Sequence, residues 1–214
     1  MKMKAMVILA SMFFVLQLKA QTIHPDLTSA GNFVAVNRQV IISTKDDKNI
    51  VQLNSQPNDG IAWVKNVSFS TGTIAFDVKG KNVLQESFVG IAFHGINDSS
   101  FDAIYFRPFN FQSNEAVRKS HSVQYICMPK YDWSYLRETF PGKYENALVS
   151  TIDPDAWFHV KIIVKKDVIE VYVNNDIKSS LQVQPIMHYT EGKIGFWVGN
   201  NSDGSFSNLT IQNN

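Results

Sequence analysis

The sequence predicts an all-β protein, either a β-sandwich or a barrel. About twelve short segments are rich in aromatic and β-branched residues, and residues that favour turns separate them. No long amphipathic helical pattern interrupts the series. No short-period repeat is found that would indicate a propeller or a solenoid. Many short strands with regular turns are typical of sandwiches and barrels.

Residues 1–20 are expected to be a secretory signal peptide. They begin with Lys2 and Lys4, continue as a short apolar run and end in Ala20. A membrane anchor is the alternative, but the apolar run is short for a bilayer span. The mature chain, 21–214, is therefore expected to be one domain without a membrane span, secreted or periplasmic.

Composition narrows the choice of partners. Removing the three lysines of residues 1–20 changes the formal charge from +1 to −2, so the mature chain lacks the basic character typical of nucleic-acid binding. Cys127 is the single cysteine, which excludes an intramolecular disulfide. We interpret Cys127 as a buried thiol in a strand rather than as a catalytic nucleophile.

The elements follow in order after residues 21–38, which we interpret as a lead-in segment. The clearest strand is 73–78, where apolar and polar side chains alternate as in a half-buried strand. Residues 128–147 have weak periodicity and are predicted to form a long loop with one helical turn, a type of segment that is often functional. Trp157 and Trp197 lie in regular strands and are expected in the core. The predicted strands are 39–43, 50–53, 61–64, 66–70, 73–78, 88–94, 101–107, 121–127, 157–165, 168–173, 177–183, 192–198 and 206–212.

The central segment, 87–127, is the candidate functional region. Its three predicted strands carry polar groups at unusual places for core strands, namely His94, Asp102, Arg107 and Gln124. If the three strands are neighbours, these side chains could converge on one face of a sheet.

The order of the segments resembles that of the concanavalin A-like lectin/glucanase superfamily. A strand with Trp precedes a hairpin that ends in an Asn-rich turn, then come Gly-x-Ile-Gly-Phe and a last strand with Phe-x-Asn-Leu. The resemblance implies a two-sheet antiparallel β-sandwich, the jelly roll, and carbohydrate as partner, although this fold hosts lectins, binding modules, hydrolases and lyases. It rests on NVSFSTGTIAFDVKG (66–80), FVGIAFHG (88–95), AIYFRPFNF (103–111), HSVQYI (121–126), AWFHVKIIVKKDVIEVYVNN (156–175) and GKIGFWVGNNSDGSFSNLTI (192–211).

Within the superfamily, the central segment looks most like secreted 3-keto-disaccharide hydrolase-like domains. The shared features are Gly90 followed by Ile91, then Arg107 and Gln124. Ser122 stands beside Gln124 where a carboxylate would be expected, and the Glu-x-Asp-x-x-Glu signature of family-16 glucanases is absent from the sequence. The resemblance therefore supports the fold and carries no catalytic assignment.

The predicted ligand-binding residues are His94, Tyr105, Arg107, Gln124 and Trp133. Tyr105 and Arg107 alternate along one strand, so they share a face on which a ring and a donor fork could bind a sugar. The alternative for Arg107 is an ion pair without a ligand. Gln124 can donate and accept, and His94 could face the ligand or serve as a structural residue. Trp133 could stack on the ligand or cover the core.

The catalytic residues stay unknown at this level. Glycoside hydrolysis usually needs two carboxylates across the scissile bond. Asp102 and His94 are the candidates, whereas Asp98, Asp132 and Glu138 lie near the region without forming a recognisable pair.

No metal site is predicted, although a calcium ion is possible. Jelly rolls of this kind often bind calcium through acidic and backbone oxygens. Asp203 is the candidate, but Ser207 occupies the position where a second carboxylate would help, and no His/Cys set has zinc spacing.

The leading hypothesis is a secreted carbohydrate-binding domain that recognises a glycan on its concave sheet face. The alternative is a glycoside hydrolase, or a 3-keto-glycoside hydrolase or lyase, acting on oligo- or polysaccharide. A third class is an adhesion domain of the cell envelope with a protein partner.

Overall fold

Two antiparallel sheets face each other in the computed structural model, which describes residues 22–186 and 189–214. The predicted signal peptide, 1–20, lies outside the described residues. Among the described residues, one sheet has eight strands and the other has seven. This arrangement confirms the predicted two-sheet antiparallel β-sandwich.

The bounds of the elements are as follows. The strands are β1 (Thr22–Ile23), β2 (Phe33–Val36), β3 (Val40–Lys45), β4 (Lys48–Leu53), β5 (Gly60–Phe69), β6 (Gly72–Lys79), β7 (Val89–Gly95), β8 (Asp102–Phe106), β9 (Val123–Cys127), β10 (Glu145–Asn146), β11 (Phe158–Val164), β12 (Ile169–Val173), β13 (Leu181–Val183), β14 (Gly192–Val198) and β15 (Gly204–Asn213). The helices are α1 (Ala116–Lys119) and α2 (Trp133–Thr139), with 3-10 turns at Ala30–Asn32 and Pro108–Asn110. The first sheet has the order β13-β12-β11-β6-β15-β4-β3, with β1 also paired to β15, and the second has the order β10-β9-β8-β7-β14-β5-β2.

The core lies between the sheets and is built from aromatic pairs that join them. Phe106 of β8 meets Phe158 of β11 edge to face, with ring centroids 5.2 Å apart. Phe196 of β14 stacks on Phe206 of β15 at 4.5 Å. Full burial of each such side chain stabilises the fold by about 1.5–3 kcal/mol. Because side chains alternate along a strand, these contacts define the inward face of each sheet and, by exclusion, its outer face.

The central strands form as predicted and are neighbours. Strands β7, β8 and β9 pair in sequence order in the second sheet. Cys127, in β9, is buried, as predicted. In the first sheet, the alternation of 73–78 is also confirmed, since Ile74, Phe76 and Val78 are fully buried.

Several sequence-based boundaries were wrong. The segment 21–38 is more than a lead-in, because it contributes β1 and β2 to the two sheets. The two strands predicted at 61–64 and 66–70 are one continuous strand, β5. The segment 128–147 contains both α2 and the short edge strand β10.

Trp157 does not lie in the core as predicted, since its side chain is 39% exposed. Strand β11 begins at the next residue, Phe158, whose ring faces inward against Phe106. The residue before it is therefore directed away from the core. Within the described residues, neither helix has the length and apolar character that crossing a membrane requires.

Candidate functional site

A row of directly paired residues crosses the second sheet on its outer face. Tyr105 of β8 lies opposite Gln124 of β9, and Gln124 lies opposite Glu145 of β10. On the other side, Tyr105 lies opposite Gly90 of β7, which lies opposite Trp197 of β14. We call these five residues the transverse row. Ile104 and Phe106, the neighbours of Tyr105 in β8, point inward to the core, so the row belongs to the opposite face.

Tyr105, Arg107 and Gln124 come together as the sequence analysis predicts. The Tyr105 hydroxyl donates to Gln124 Oε1 at 3.1 Å, and Arg107 Nη2 donates to the Tyr105 hydroxyl at 2.6 Å and also to Gln124 Oε1. All three side chains are buried. Burial raises the pKa of Tyr105 to about 12, so the phenol stays protonated and can donate.

Glu145 is the acidic centre of the cluster. Arg137 of α2 donates to both of its oxygens, Nε to Oε1 at 2.9 Å and Nη2 to Oε2 at 2.6 Å. The hydrogen bond and the charge of Glu145 raise the pKa of Arg137. Glu145 Oε2 also lies 3.8 Å from Arg107 Nη1. One buried carboxylate is therefore shared by two guanidinium groups.

His121 completes the cluster. Its Nδ1 lies 2.9 Å from Glu145 Oε2, although the alignment of the two groups does not meet hydrogen-bond geometry. Its backbone carbonyl accepts from Arg107 Nη1 at 3.0 Å. Burial lowers the pKa of the His121 ring, Arg137 and Arg107 lower it further, and Glu145 opposes these effects. Together the six residues Tyr105, Arg107, His121, Gln124, Arg137 and Glu145 form what we call the outer-face cluster.

Gly90 allows two aromatic rings of the row to meet. The Tyr105 and Trp197 ring centroids are 4.8 Å apart, although β7 runs between their strands. A Cβ at Gly90 would lie 2.1 Å from the Ile104 carbonyl oxygen and 2.6 Å from Tyr105 Cα. Because glycine lacks that atom, the two rings can pack against each other over β7. Trp197 is thus buried, as predicted, but on the outer face rather than between the sheets.

Two donors in the transverse row lack a protein acceptor. In the part of the chain that the structure describes, neither Gln124 Nε2 nor Trp197 Nε1 has a hydrogen-bond partner, and both atoms are buried. Buried polar atoms are paired in the great majority of cases, so two orphaned donors on one face are unusual. Orphaned donors beside two aromatic rings are suited to a ligand that brings acceptor oxygens.

Trp133 stands at the edge of the cluster on α2. Asp132 caps this helix by accepting from the Tyr135 backbone N–H at 2.8 Å. Four residues apart on the helix, Trp133 and Arg137 share a face, and the Arg137 guanidinium lies 5.1 Å from the Trp133 ring centroid. The Trp133 side chain is 49% exposed, so its ring is available for contact from solvent.

Arg38 lies near the turn that follows β14, where its Nη2 donates to the Gly199 carbonyl at 2.9 Å, and Asp59 directly precedes β5. Asp59 is exposed, yet burial among surrounding protein groups raises its pKa while Arg38 opposes that rise. The charge of Asp59 also contributes, as the smallest of several causes, to the raised pKa of Tyr105.

His94 and Asp102 do not join the outer-face cluster, contrary to the prediction that they share one face with Arg107 and Gln124. Asp102 stands three residues before Tyr105 in β8 and therefore points to the opposite, inward face. His94 has a φ of 53°, and its Nδ1 lies 2.8 Å from Asp102 Oδ2 while its Nε2 contacts the Ser70 carbonyl. Tyr125 donates to the other Asp102 oxygen at 2.7 Å. These side chains are buried, and their polar atoms contact one another and the Ser70 carbonyl. The assignments of His94 as a ligand-binding residue and of both as catalytic residues stay predictions without geometric support.

The calcium candidate Asp203 forms an ion pair with Lys81, with a separation of 2.9 Å. Ser207 donates to the Asn49 carbonyl at 2.8 Å. Among the described residues, no group of three or more His, Cys, Asp or Glu side chains is arranged to hold a metal ion.

Sequence reasoning missed Glu145 and His121 as members of the site. Glu145 is positioned by pairing of the two-residue strand β10 with β9, which is too short to give a periodic signal. His121 lies two residues before β9, within the segment 121–127 that the sequence predicts to be a strand. The sequence feature that could have indicated Glu145 is the concentration of aromatic and charged residues in 128–147.

Comparisons with known proteins agree on the fold. No family model and no curated protein matches the chain. Among solved structures, the carbohydrate-binding module CBM66 from Bacillus subtilis superposes with a TM-score of 0.56 at 14% identity, covering 84% of this chain and 94% of that one. The exoplasmic/lumenal domain of VIP36, in a Ca²⁺/Man3GlcNAc-bound form, gives 0.53 at 8% identity, covering 88% and 86%. The kappa-carrageenase from Pseudoalteromonas carrageenovora, in complex with a kappa-carrageenan oligotetrasaccharide, gives 0.51 at 12% identity, covering 92% and 97%. With its two antiparallel sheets and these structural neighbours, the chain has the concanavalin A-like jelly-roll fold.

Proposed function

We propose that this protein is a carbohydrate-binding domain that recognises a glycan on the outer face of its second sheet, the face that the sequence hypothesis describes as concave. The observation that carries the proposal is the pair of buried donors without a protein acceptor, Gln124 Nε2 and Trp197 Nε1, in the same row as two packed aromatic rings. Sugars offer hydroxyl oxygens to such donors and C–H faces to such rings.

The side chains around the outer-face cluster also support carbohydrate binding. Ligand sites combine apolar and aromatic surface with a few polar groups that fix orientation. Here Tyr105 and Trp197 supply the rings, while Gln124 and Arg107 supply the polar groups. The exposed Trp133 ring adds a stacking surface at the edge. Two of the structural neighbours, the carbohydrate-binding module CBM66 and the Man3GlcNAc-bound domain of VIP36, are consistent with this proposal.

Titration calorimetry of the mature chain against a panel of oligosaccharides tests the function. Trp133→Ala should weaken binding of the positive ligand by about fivefold or more, since stacking on a tryptophan ring contributes about 1 kcal/mol. Trp157→Ala is the matched control, because it also removes an exposed tryptophan but lies at the start of β11 in the first sheet. Absence of binding across the panel would refute the proposal, as would equal losses in the two variants.

Export is part of the proposal. The charged start, short apolar run and small residue at Ala20 support cleavage before Gln21. Expression of the full chain in a bacterial host, followed by N-terminal sequencing of the exported protein, should give Gln21 as the first residue. Retention of the intact chain in the cell interior would contradict export.

A further inference from the structure

The outer-face cluster carries more positive than negative charge. Arg107 and Arg137 are both guanidinium groups, and Glu145 is the one carboxylate that contacts them among the described residues. Arg38 and Asp59 carry opposite charges, and each influences the pKa of the other, so together they add no net charge. The outer-face cluster therefore carries a net positive charge, because its two guanidinium groups share one carboxylate.

The excess charge falls on Arg107 by geometry. Arg137 takes both oxygens of Glu145 in a two-point contact, while Arg107 approaches the same carboxylate no closer than 3.8 Å. The hydrogen bonds that Arg107 does make go to neutral acceptors, which are the Tyr105 hydroxyl, Gln124 Oε1 and the His121 carbonyl. Burying a guanidinium among neutral acceptors is costly unless a second anion comes near.

Of the two guanidinium groups in the cluster, Arg137 is the one that reaches solvent. Its side chain is 33% exposed, whereas those of Arg107 and Glu145 are 6% and 3% exposed. The His121 ring, 18% exposed, lies beside the same carboxylate. A ligand that approaches this face therefore meets Arg137 and the His121 ring before it meets the buried acid. The Trp133 ring, packed on Arg137, lies beside the same approach.

The buried unpaired atoms of the transverse row favour the same kind of ligand. Gln124 Nε2 and Trp197 Nε1 are both donors, so both seek negative or electron-rich oxygens. Asn110, whose Nδ2 donates to the His121 carbonyl, carries a buried acceptor without a partner, its Oδ1. Donors and excess positive charge together are suited to an oxyanion.

We propose that the recognised glycan is acidic and that its carboxylate or sulfate group binds at Arg137 and His121, over the outer-face cluster. This inference rests on the proposed carbohydrate-binding function and adds the chemical class of the ligand. Arg137 would keep one side of its planar group on Glu145 and offer its remaining N–H donors to the anion. Trp133 would cover the ring of the sugar that bears the anion.

Matched triplets of oligosaccharides test the proposal by titration calorimetry. Each triplet contains a neutral oligohexose, the corresponding oligouronide and a sulfated form of the same length, in both the gluco and the galacto series. One acidic form should bind at least about tenfold tighter than its neutral counterpart, which is the effect of one charge-assisted hydrogen bond. The preference should decline as salt is added, because Arg137 and His121 are partly exposed to ions. The uronide and sulfate arms distinguish the two sources of the anion.

A variant and its control complete the test. Arg137→Gln should reduce the ratio of acidic-ligand to neutral-ligand affinity by about tenfold, because the charge-assisted hydrogen bond is made by the acidic ligand alone. Lys165→Gln is the control, because Lys165 is also paired with a glutamate, Glu170, but at the β11–β12 hairpin of the first sheet. Equal affinity for neutral and acidic forms would overturn this inference and leave the glycan-binding function standing. If no member of any triplet binds, both the function and this inference are refuted.

Discussion

Arg137 and Glu145 are joined at two points, and this pair ties α2 to the edge of the second sheet. The Nε–Oε1 and Nη2–Oε2 distances are 2.9 Å and 2.6 Å, a fork-to-fork geometry that fixes both side chains. The carboxylate is buried while the guanidinium reaches solvent. The pair thus places a fixed positive group at the surface of the cluster.

Glu145→Gln should destabilise the fold substantially. The change leaves Arg107 and Arg137 without their shared carboxylate, and removal of one partner from a buried ion pair costs about 3–5 kcal/mol. The partial exposure of Arg137 puts the expected loss near the lower end of that range. Urea unfolding measures it, with Glu170→Gln as the control, since the partner Lys165 of that residue is solvent-exposed and the expected loss is about 1 kcal/mol or less. Equal losses would show that Glu145 is not the centre of the cluster.

Gly90→Ala should distort the transverse row. Its Cβ would overlap the Ile104 carbonyl oxygen at 2.1 Å, and this contact is with backbone that cannot rotate away. We expect a loss of about 1–3 kcal/mol in unfolding free energy and weaker glycan binding, because Tyr105 must move away from Trp197. Gly31→Ala is the control, since its Cβ would meet a single side-chain oxygen at 3.3 Å. A Gly90→Ala variant with native stability and affinity would contradict the role given to this glycine.

His121 should make stability depend on pH. Burial lowers its pKa below the ordinary 6.5, and of the charged groups that face it Arg137 and Arg107 reinforce this whereas Glu145 opposes it. The unfolded chain therefore binds more protons than the folded one as pH falls below about 6.5, so acidification through that region reduces stability. The unfolding free energy of the wild type should decline more steeply with acidification than that of His121→Gln. Parallel pH profiles would disprove the assignment.

Asp102→Asn should affect stability and not recognition. Asp102 is buried, contacts His94 and accepts from Tyr125, so its loss should cost about 3–5 kcal/mol. The affinity of the folded variant for a glycan should stay that of the wild type, because the residue faces the interior. Asp98→Asn serves as the exposed control, with an expected cost of about 1 kcal/mol or less. A large loss of affinity in folded Asp102→Asn would restore this residue to the functional site.

Strand periodicity accounts for the correct part of the site prediction. Tyr105 and Arg107 alternate, so their common face could be predicted from the sequence, and their contact confirms it. The same rule places Asp102 on the opposite face from Tyr105, because the two residues are three positions apart in β8. The prediction that Asp102 joins the site grouped polar residues by strand and did not apply this rule. His94 is four residues after Gly90, so strand alternation predicts that both lie on the outer face. The left-handed backbone of His94, with a φ of 53°, instead turns its ring toward Asp102. No local pattern indicates that conformation in a histidine.

The sequence by itself determined the fold class, the central strands and the pairing of Tyr105 with Arg107 on one face. These features depend on local alternation and on turn residues, which are written along the chain. Tertiary structure alone decided that Glu145, Trp197 and Arg137 complete the site. Glu145 arrives by the pairing of a two-residue strand, and Trp197 reaches Tyr105 across a strand that is distant from it along the chain. The packing of the whole sandwich determines which residues become neighbours in this way. Sheet register and the close approach at Gly90 both depend on long-range contacts, which no local sequence pattern encodes.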